Sequence, residues 1–358
     1  MKNNRLELLR TKMQQGGLQA FVISSTSNRR WLSGFTGSSG TLVVGLHKAW
    51  LLVDFRYIEQ ASQQAAHLEC IKTTKLTEQL QALLEEAAAT QVGFESNHVT
   101  YTAWEKLQEV SANVNWVPCI NWVEEARACK DEEEIGLLAT AAAQADNAFA
   151  AVLPMIKPGI SEKELAMQLE FSLRKAGAEA MAFPPIVVSG ERGALPHGQP
   201  SDKAIRIGEL ITMDFGAVWQ GYCSDMTRTV ALGYVDERQR EIYNIVLHAQ
   251  QAAVAAVAAG LAGQAVDAVA RRIISEAGYA EAFGHGLGHG VGLDVHEEYP
   301  RLSTSWQGEL QPGMVCSVEP GIYLPGWGGV RIEDLVVVTP DGCRVLSNAP
   351  RDLMIIPA

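Results

Sequence analysis

The feature that most limits how this chain can fold is a weak internal repeat in its second half. The segment "GISEKELAMQLEFSLRKAG", bounded by Gly159 and Gly177, has a counterpart in "GLAGQAVDAVARRIISEAG", bounded by Gly260 and Gly278, with the glycines eighteen positions apart in both. Leu165, Leu169 and Leu173 align with Val266, Ala270 and Ile274, an i, i+4, i+8 apolar stripe that predicts one amphipathic helix per copy. Downstream, Gly208 precedes Asp214 by six residues and Gly313 precedes Glu319 by six, and a glycine follows each acid two places on. One helix-and-strand unit is therefore used twice, with a carboxylate at the same point of a strand in each copy.

Each strand also reads as the first arm of a hairpin whose second arm returns another acid. In "ITMDFGAVWQGYCSDMTRTV" a turn centred on Trp219 and Gln220 predicts Asp214 opposite Asp225. In the second copy "LPGWGG", centred near Gly326, predicts Glu319 opposite Glu333. Directly paired residues share a face with Cβ atoms about 5 Å apart, and like charges that close repel. The apolar flanks "ELITMDF" and "MVCSVEP" argue against acids that simply face water. Four such groups stay ionised together only around a cation.

"FGHGLGHGVGLDVHEE" places glycine at every second position from Gly284 to Gly292. In a helix these would cost about 1 kcal/mol each relative to alanine, so the segment is expected to be extended. The extended form predicts His285, Leu287, His289 and Val291 on one face, with a glycine face open to close approach. His296 and, in "GALPHGQP", His197 add further imidazoles. Carboxylates with one imidazole form a hard ligand set that suits Mn²⁺, with Co²⁺ or Zn²⁺ as alternatives. Their number, in two pairs, implies two divalent ions that polarise a carbonyl and hold a bridging hydroxide, so that hydrolysis needs no nucleophilic side chain.

The 358 residues suit about two domains. Residues 1–122 alternate between helical patterns and short β runs ("LQAFVIS", "GTLVVGL", "AWLLVDF", "QVGFES"), which predicts an α/β domain. An acidic, then alanine-rich stretch from residue 123 opens the second domain, 123–358. The expected class is α+β overall. A net charge of -12 excludes a nucleic-acid backbone as partner. The N-terminus has no apolar core of signal-peptide length, and the alanine-rich "VLHAQQAAVAAVAAGLAGQAV" reads as a packed helix, not a membrane span. Six cysteines without CxxC pairing fit free thiols in a reducing cytoplasm, and Cys223 and Cys316, without a histidine partner in any motif, read as strand fillers and not nucleophiles.

The order Asp214, Asp225, His289, Glu319, Glu333, within "MDFGAVWQGYCSDMTRT", "HGLGHGVGLDVHE" and "SVEPGIY…GGVRIEDLVVV", resembles the five-ligand signature of the pita-bread metallopeptidases. These include methionine aminopeptidases, Xaa-Pro aminopeptidases and prolidases. "NRRWLSGFTGSSG", "VDFRY" and "GFES" resemble the creatinase-type domain that precedes the catalytic one in the proline-directed members. The resemblance implies a pseudo-two-fold catalytic domain. In it Asp214 would chelate one ion, Asp225 and Glu333 would bridge both, and His289 and Glu319 would complete the other shell. It further implies Glu319 as proton shuttle, His296 as stabiliser of the tetrahedral intermediate, and His197 and His285 as substrate contacts. Arg331, two residues before Glu333, would orient the acidic ligands. The activity implied first is release of the N-terminal residue from Xaa-Pro peptides by a cytoplasmic homodimer. The alternatives are an Xaa-Pro dipeptidase, an enzyme releasing methionine before small residues, and, in another class, a non-catalytic peptide-binding relative. Trp31, in an N-domain loop, is a candidate to reach a neighbouring subunit's cleft, with a buried role as the plainer reading.

Overall fold

The computed structural model describes residues 2–358. They form two compact units, divided between Arg127 and Ala128, with the short helix Trp122–Ala128 running up to the division.

The N-terminal unit is a six-stranded mixed sheet in the order Glu69–Lys72, Ala49–Val53, Thr41–Gly45, Ala20–Ile23, Gln91–Glu95, Asn115–Cys119, interleaved with helices. The three central β runs read from the sequence are buried along their whole length. Trp31 does not reach outward. It is 4 % exposed in the helix Thr26–Ser33, with the Arg5 guanidinium 4.8 Å from its ring centroid, because that helix turns its apolar side to the sheet.

The C-terminal unit carries the repeat. A long helix (Glu132–Val152 or Glu237–Ala256) precedes a 14-residue helix (Glu162–Lys175 or Gly263–Glu276) in each copy. An antiparallel sheet follows in each. In the first copy Leu210–Phe215 pairs with Ile186–Ser189 and Met226–Leu232. In the second, Val315–Val318 pairs with Gly288–Gly290 and Asp334–Thr339. Leu165, Leu169, Leu173, Val266, Ala270 and Ile274 are all fully buried. The repeat glycines match in backbone too: Gly159 and Gly260, Gly177 and Gly278, Gly208 and Gly313 all have φ between +81° and +102°, where a Cβ is disfavoured. Glu132–Met155 is long and apolar enough to cross a membrane by length and composition, yet Leu138, Ala141, Ala145 and Phe149 pack it into the cores of this unit.

Candidate metal centre and active site

The first hairpin turns one residue later than its sequence suggests. Trp219 pairs with Tyr222 around Gln220 (φ +45°) and Gly221 (φ +79°), a two-residue loop with both φ positive that matches the twist of its strands. The register moves by two, so Asp214 lies opposite Thr227 and not Asp225. A shift of two preserves the face, and both aspartates still line the same cavity. In the second hairpin Gly321–Leu324 pairs with Gly328–Arg331, and Val318 with Asp334. That common register sets Glu319 level with Glu333, as expected from the turn at Gly326.

The glycine-rich segment departs from its expectation. The four residues do not form one common surface: His285 and His289 line a cavity, while Leu287 and Val291 enter two separate hydrophobic clusters. The register shift at His289/Gly290 places its extra residues in the partner strand Glu297–Leu302. Close approach of backbone to glycine does occur. An ideal Cβ on Gly288 would lie 2.0 Å from the Ser317 carbonyl oxygen, and one on Gly290 2.2 Å from that of Tyr299.

Asp214, Asp225, His289, Glu319 and Glu333 converge on one cavity of about 840 Å³. Donor atoms of Asp225, His289 and Glu333 lie within 4.8 Å of one another. His289 Nε2 is 3.3 Å from Glu319 Oε1 and 3.6 Å from Asp225 Oδ2. Asp214 stands somewhat apart, its Oδ2 accepting from Arg331 Nη2 at 2.6 Å. His197, His285, His296 and Arg331 line the same cavity, and the His296 ring centroid is 4.1 Å from that of His289.

Two observations test whether this donor set suits a cation. Asp214 Oδ1 and Glu333 Oε1 are buried without a hydrogen-bond partner among the described residues, a costly arrangement unless something else meets them. His289 Nδ1 lies 3.1 Å from the Gly290 carbonyl, which only an Nδ1–H can donate to, so the Nε2 lone pair is directed toward the acids. Both fit a divalent ion.

Three residues beyond those expected from the sequence complete the site. Thr227 Oγ1 donates to Glu333 Oε2 (2.7 Å) and accepts from Arg331 Nε (3.0 Å). Tyr323 accepts from Arg331 Nη1 (3.0 Å) and lies 2.9 Å from His285 Nε2. Ser317 Oγ donates to Glu319 Oε1 (3.0 Å). Tyr323 had a signal, since in extended chain residues 319, 321 and 323 share a face. Thr227 became visible only once the register was known. Cys316 is no nucleophile: burial pushes its thiol up to about 12.

Burial, and then the neighbouring acids, raise Asp225 and Glu333 well above the ordinary carboxylate range. Asp214 is also raised, by burial against the pull of Arg331. Glu319 goes the other way. Burial opposes its charge, but the hydrogen bond and charge of His289 outweigh that and bring it down to about 2. His289 is raised, the Glu319 hydrogen bond overcoming burial. Groups raised in the folded state stabilise it fully below their unfolded pKa, and that contribution is lost as pH rises through the folded value. Glu319, lowered, loses its contribution only as pH falls toward about 2, outside that window. His285 and His296, lowered by burial, work the other way as pH rises to about 6.5, but Asp214, Asp225, Glu333 and His289 outnumber them. The metal-stripped protein should therefore melt at a lower temperature near pH 8 than near pH 5, with saturating divalent cation removing the difference. Calorimetry of stripped and reloaded protein checks this, and a stripped protein that gains stability toward pH 8 contradicts it.

Comparison with known proteins agrees with this geometry. Residues 136–340 match the model of metallopeptidase family M24, and residues 5–129 that of the creatinase/prolidase N-terminal domain. An Xaa-Pro dipeptidase from Bacillus anthracis has a structure similar to this one, with 41 % identity and a TM-score of 0.97 over 99 % of this chain and 100 % of that one. The curated Xaa-Pro dipeptidase of Pyrococcus horikoshii is 36 % identical over 98 % of this chain and 99 % of its own length. The X-Pro aminopeptidase of Thermotoga maritima is 36 % identical with a TM-score of 0.91, over 96 % of this chain and 100 % of that one.

Proposed function

The chain belongs to metallopeptidase family M24, with the pita-bread catalytic fold and a creatinase/prolidase N-terminal domain, and from that premise we propose that it is an Xaa-Pro dipeptidase working with two divalent ions, Mn²⁺ first among them. The observation that carries the reading is the pair of unpartnered, buried carboxylate oxygens, Asp214 Oδ1 and Glu333 Oε1, on residues that line the same cavity as His289, one large enough for a short peptide. Asp214, Asp225, His289, Glu319 and Glu333 would hold the ions. Bound there, divalent ions supply Lewis-acid polarisation of the scissile carbonyl and activate water near neutral pH.

The protein's own groups divide the remaining work. Glu319, which lines the cavity with its Oε1 accepting from Ser317 Oγ, would take a proton and pass it to the departing nitrogen. Burial lowers the His296 imidazole and so favours its neutral form, which can accept or donate a hydrogen bond without bringing a charge. Phe183, Pro184 and Pro185 form a stiff apolar wall of the cavity, suited to a pyrrolidine ring. An Xaa-Pro bond has no N–H, so a site that recognises it must rely on such a surface and not on an amide donor.

Sequence alone favoured release of a residue from longer Xaa-Pro peptides. The relatives named Xaa-Pro dipeptidase support the dipeptide reading better. The test strips the metal, adds back Mn²⁺, Co²⁺ or Zn²⁺, and compares an Xaa-Pro dipeptide with Xaa-Pro-Yaa tripeptides. The expected result is metal-dependent turnover with kcat/KM at least about tenfold higher on the dipeptide. Tripeptides cleaved as well as or better than dipeptides would return the enzyme to the aminopeptidase reading, and metal-loaded protein that binds peptides without cleaving them would support the non-catalytic one.

A further inference from the structure

His197 lines the cavity from an exposed position on a segment that leaves the strand Ile186–Ser189 at Ser189, makes the 3₁₀ turn Gly190–Ala194 and runs without regular structure to Ser201. The backbone bonds flanking it are local turns, Leu195 N to the Arg192 carbonyl and Gly198 N to that of Leu195, so its placement against the rest of the cavity draws on side-chain anchors. One anchor lies outside the cavity. Glu162, the first residue of the helix Glu162–Lys175, is fully buried, which is rare for a carboxylate unless it is paired.

Its oxygens are divided between the two ends of the segment. Oε1 accepts from Ser189 N (2.8 Å) and Ser189 Oγ (3.0 Å). Oε2 accepts from Ser201 N (3.1 Å), Ser201 Oγ (2.7 Å) and Arg192 Nε (2.9 Å). Arg192 Nη2 carries the tie onward to the Gln199 carbonyl at 2.6 Å, two residues past His197. On the other side Arg331 Nη1 donates to the carbonyl of Pro196, the residue just before it, at 3.3 Å. Capping the helix does not require Glu162, because Ser161 and Glu164 already form a reciprocal capping box there.

We propose that Glu162 is a positioning residue: by clasping Ser189 and Ser201 it sets where His197 meets the substrate. This rests on the peptidase reading above, with His197 as the group that touches substrate. Every donor that faces Glu162 needs an acceptor, so Glu162→Gln keeps the shape but turns an NH₂ toward other donors and loosens the segment.

The test is a double-mutant cycle in the metal-loaded full-length protein. Glu162→Gln should raise KM for an Xaa-Pro dipeptide about tenfold with kcat changed less than about threefold and metal content unchanged. In a His197→Ala background the same change should alter kcat/KM by less than about twofold, because the residue it acts through is gone. Equal losses in both backgrounds, or a loss explained by missing metal, overturn the proposal. If Glu162→Gln does not fold, Arg192→Ala, on a partly exposed side chain, should show the same KM-selective and His197-dependent effect, and additivity there overturns it equally. A readout independent of turnover is the rate at which diethylpyrocarbonate modifies His197, followed by mass spectrometry. It should change severalfold in either variant, and an unchanged rate overturns the clasp even if wild-type protein proves inactive on Xaa-Pro substrates.

Discussion

Glu333→Gln should abolish peptide hydrolysis while making the metal-stripped protein more stable. Glu333 is 1 % exposed, with Oε2 satisfied by Thr227 and Oε1 without a partner among the described residues. Its carboxyl is raised by burial and then by the charges of Glu319 and Asp214, so in the stripped protein it is a cost to folding. An amide of the same shape keeps the Thr227 contact and removes one anion from the cluster. Relief of about 1–3 kcal/mol is the order expected when a buried, poorly compensated charge is neutralised. In a unit of this size that amounts to a rise of several degrees in melting temperature. Activity should move the other way, and by more than the ~10–100-fold that loss of a mere supporting partner produces. Kinetics with saturating metal and calorimetry without it read the two effects separately. Near-normal turnover, or a stripped variant that melts below stripped wild type, would remove Glu333 from the centre of the site.

Gly288→Ala should be among the most damaging single-methyl additions in the chain, whereas Gly284→Ala in the same motif should be nearly neutral. A Cβ on Gly288 would meet the Ser317 carbonyl oxygen at 2.0 Å and its carbonyl carbon at 2.7 Å, and backbone in a paired strand cannot give way as a side chain can. The strand Gly288–Gly290 would have to move off Val315–Val318, carrying His289 with it. A loss of about 3 kcal/mol or more follows, roughly 10 °C in melting temperature, with weaker metal binding alongside. At Gly284 nothing lies within 4 Å of the added carbon, and the change should stay within about 0.5 kcal/mol. Equal melting temperatures for the two variants would mean that the close approach at Gly288 is not there.

Much of the fold was legible because it is written twice. The matched glycines and apolar stripes of the two helices could be read without coordinates, since a helix needs its buried face at i, i+4, i+8 whatever surrounds it. The second hairpin could be read for a similar reason: "LPGWGG" marks its own centre, and the register follows from it. In the first hairpin "WQG" offers two turn centres. The choice falls on Gln220–Gly221 because a tight two-residue loop needs positive φ at both positions, which glycine accepts readily. That one step put Thr227, and not Asp225, across from Asp214.

By itself, then, the chain's order of residues determined which acids and histidines are available, on which strands, and that two halves of one design must face each other. Only the tertiary structure decided what those groups touch: Asp214 against Arg331, Thr227 shared between Arg331 and Glu333, Tyr323 beside His285, and Glu162 holding a segment whose ends lie twelve residues apart. It alone also separated glycines that a methyl would ruin, such as Gly288, from those with open space around them, such as Gly284. The physical reason is range. Propensity and periodicity act over a few neighbouring residues, whereas hydrogen-bond partners, buried charge and steric contact belong to whichever distant segments packing brings together.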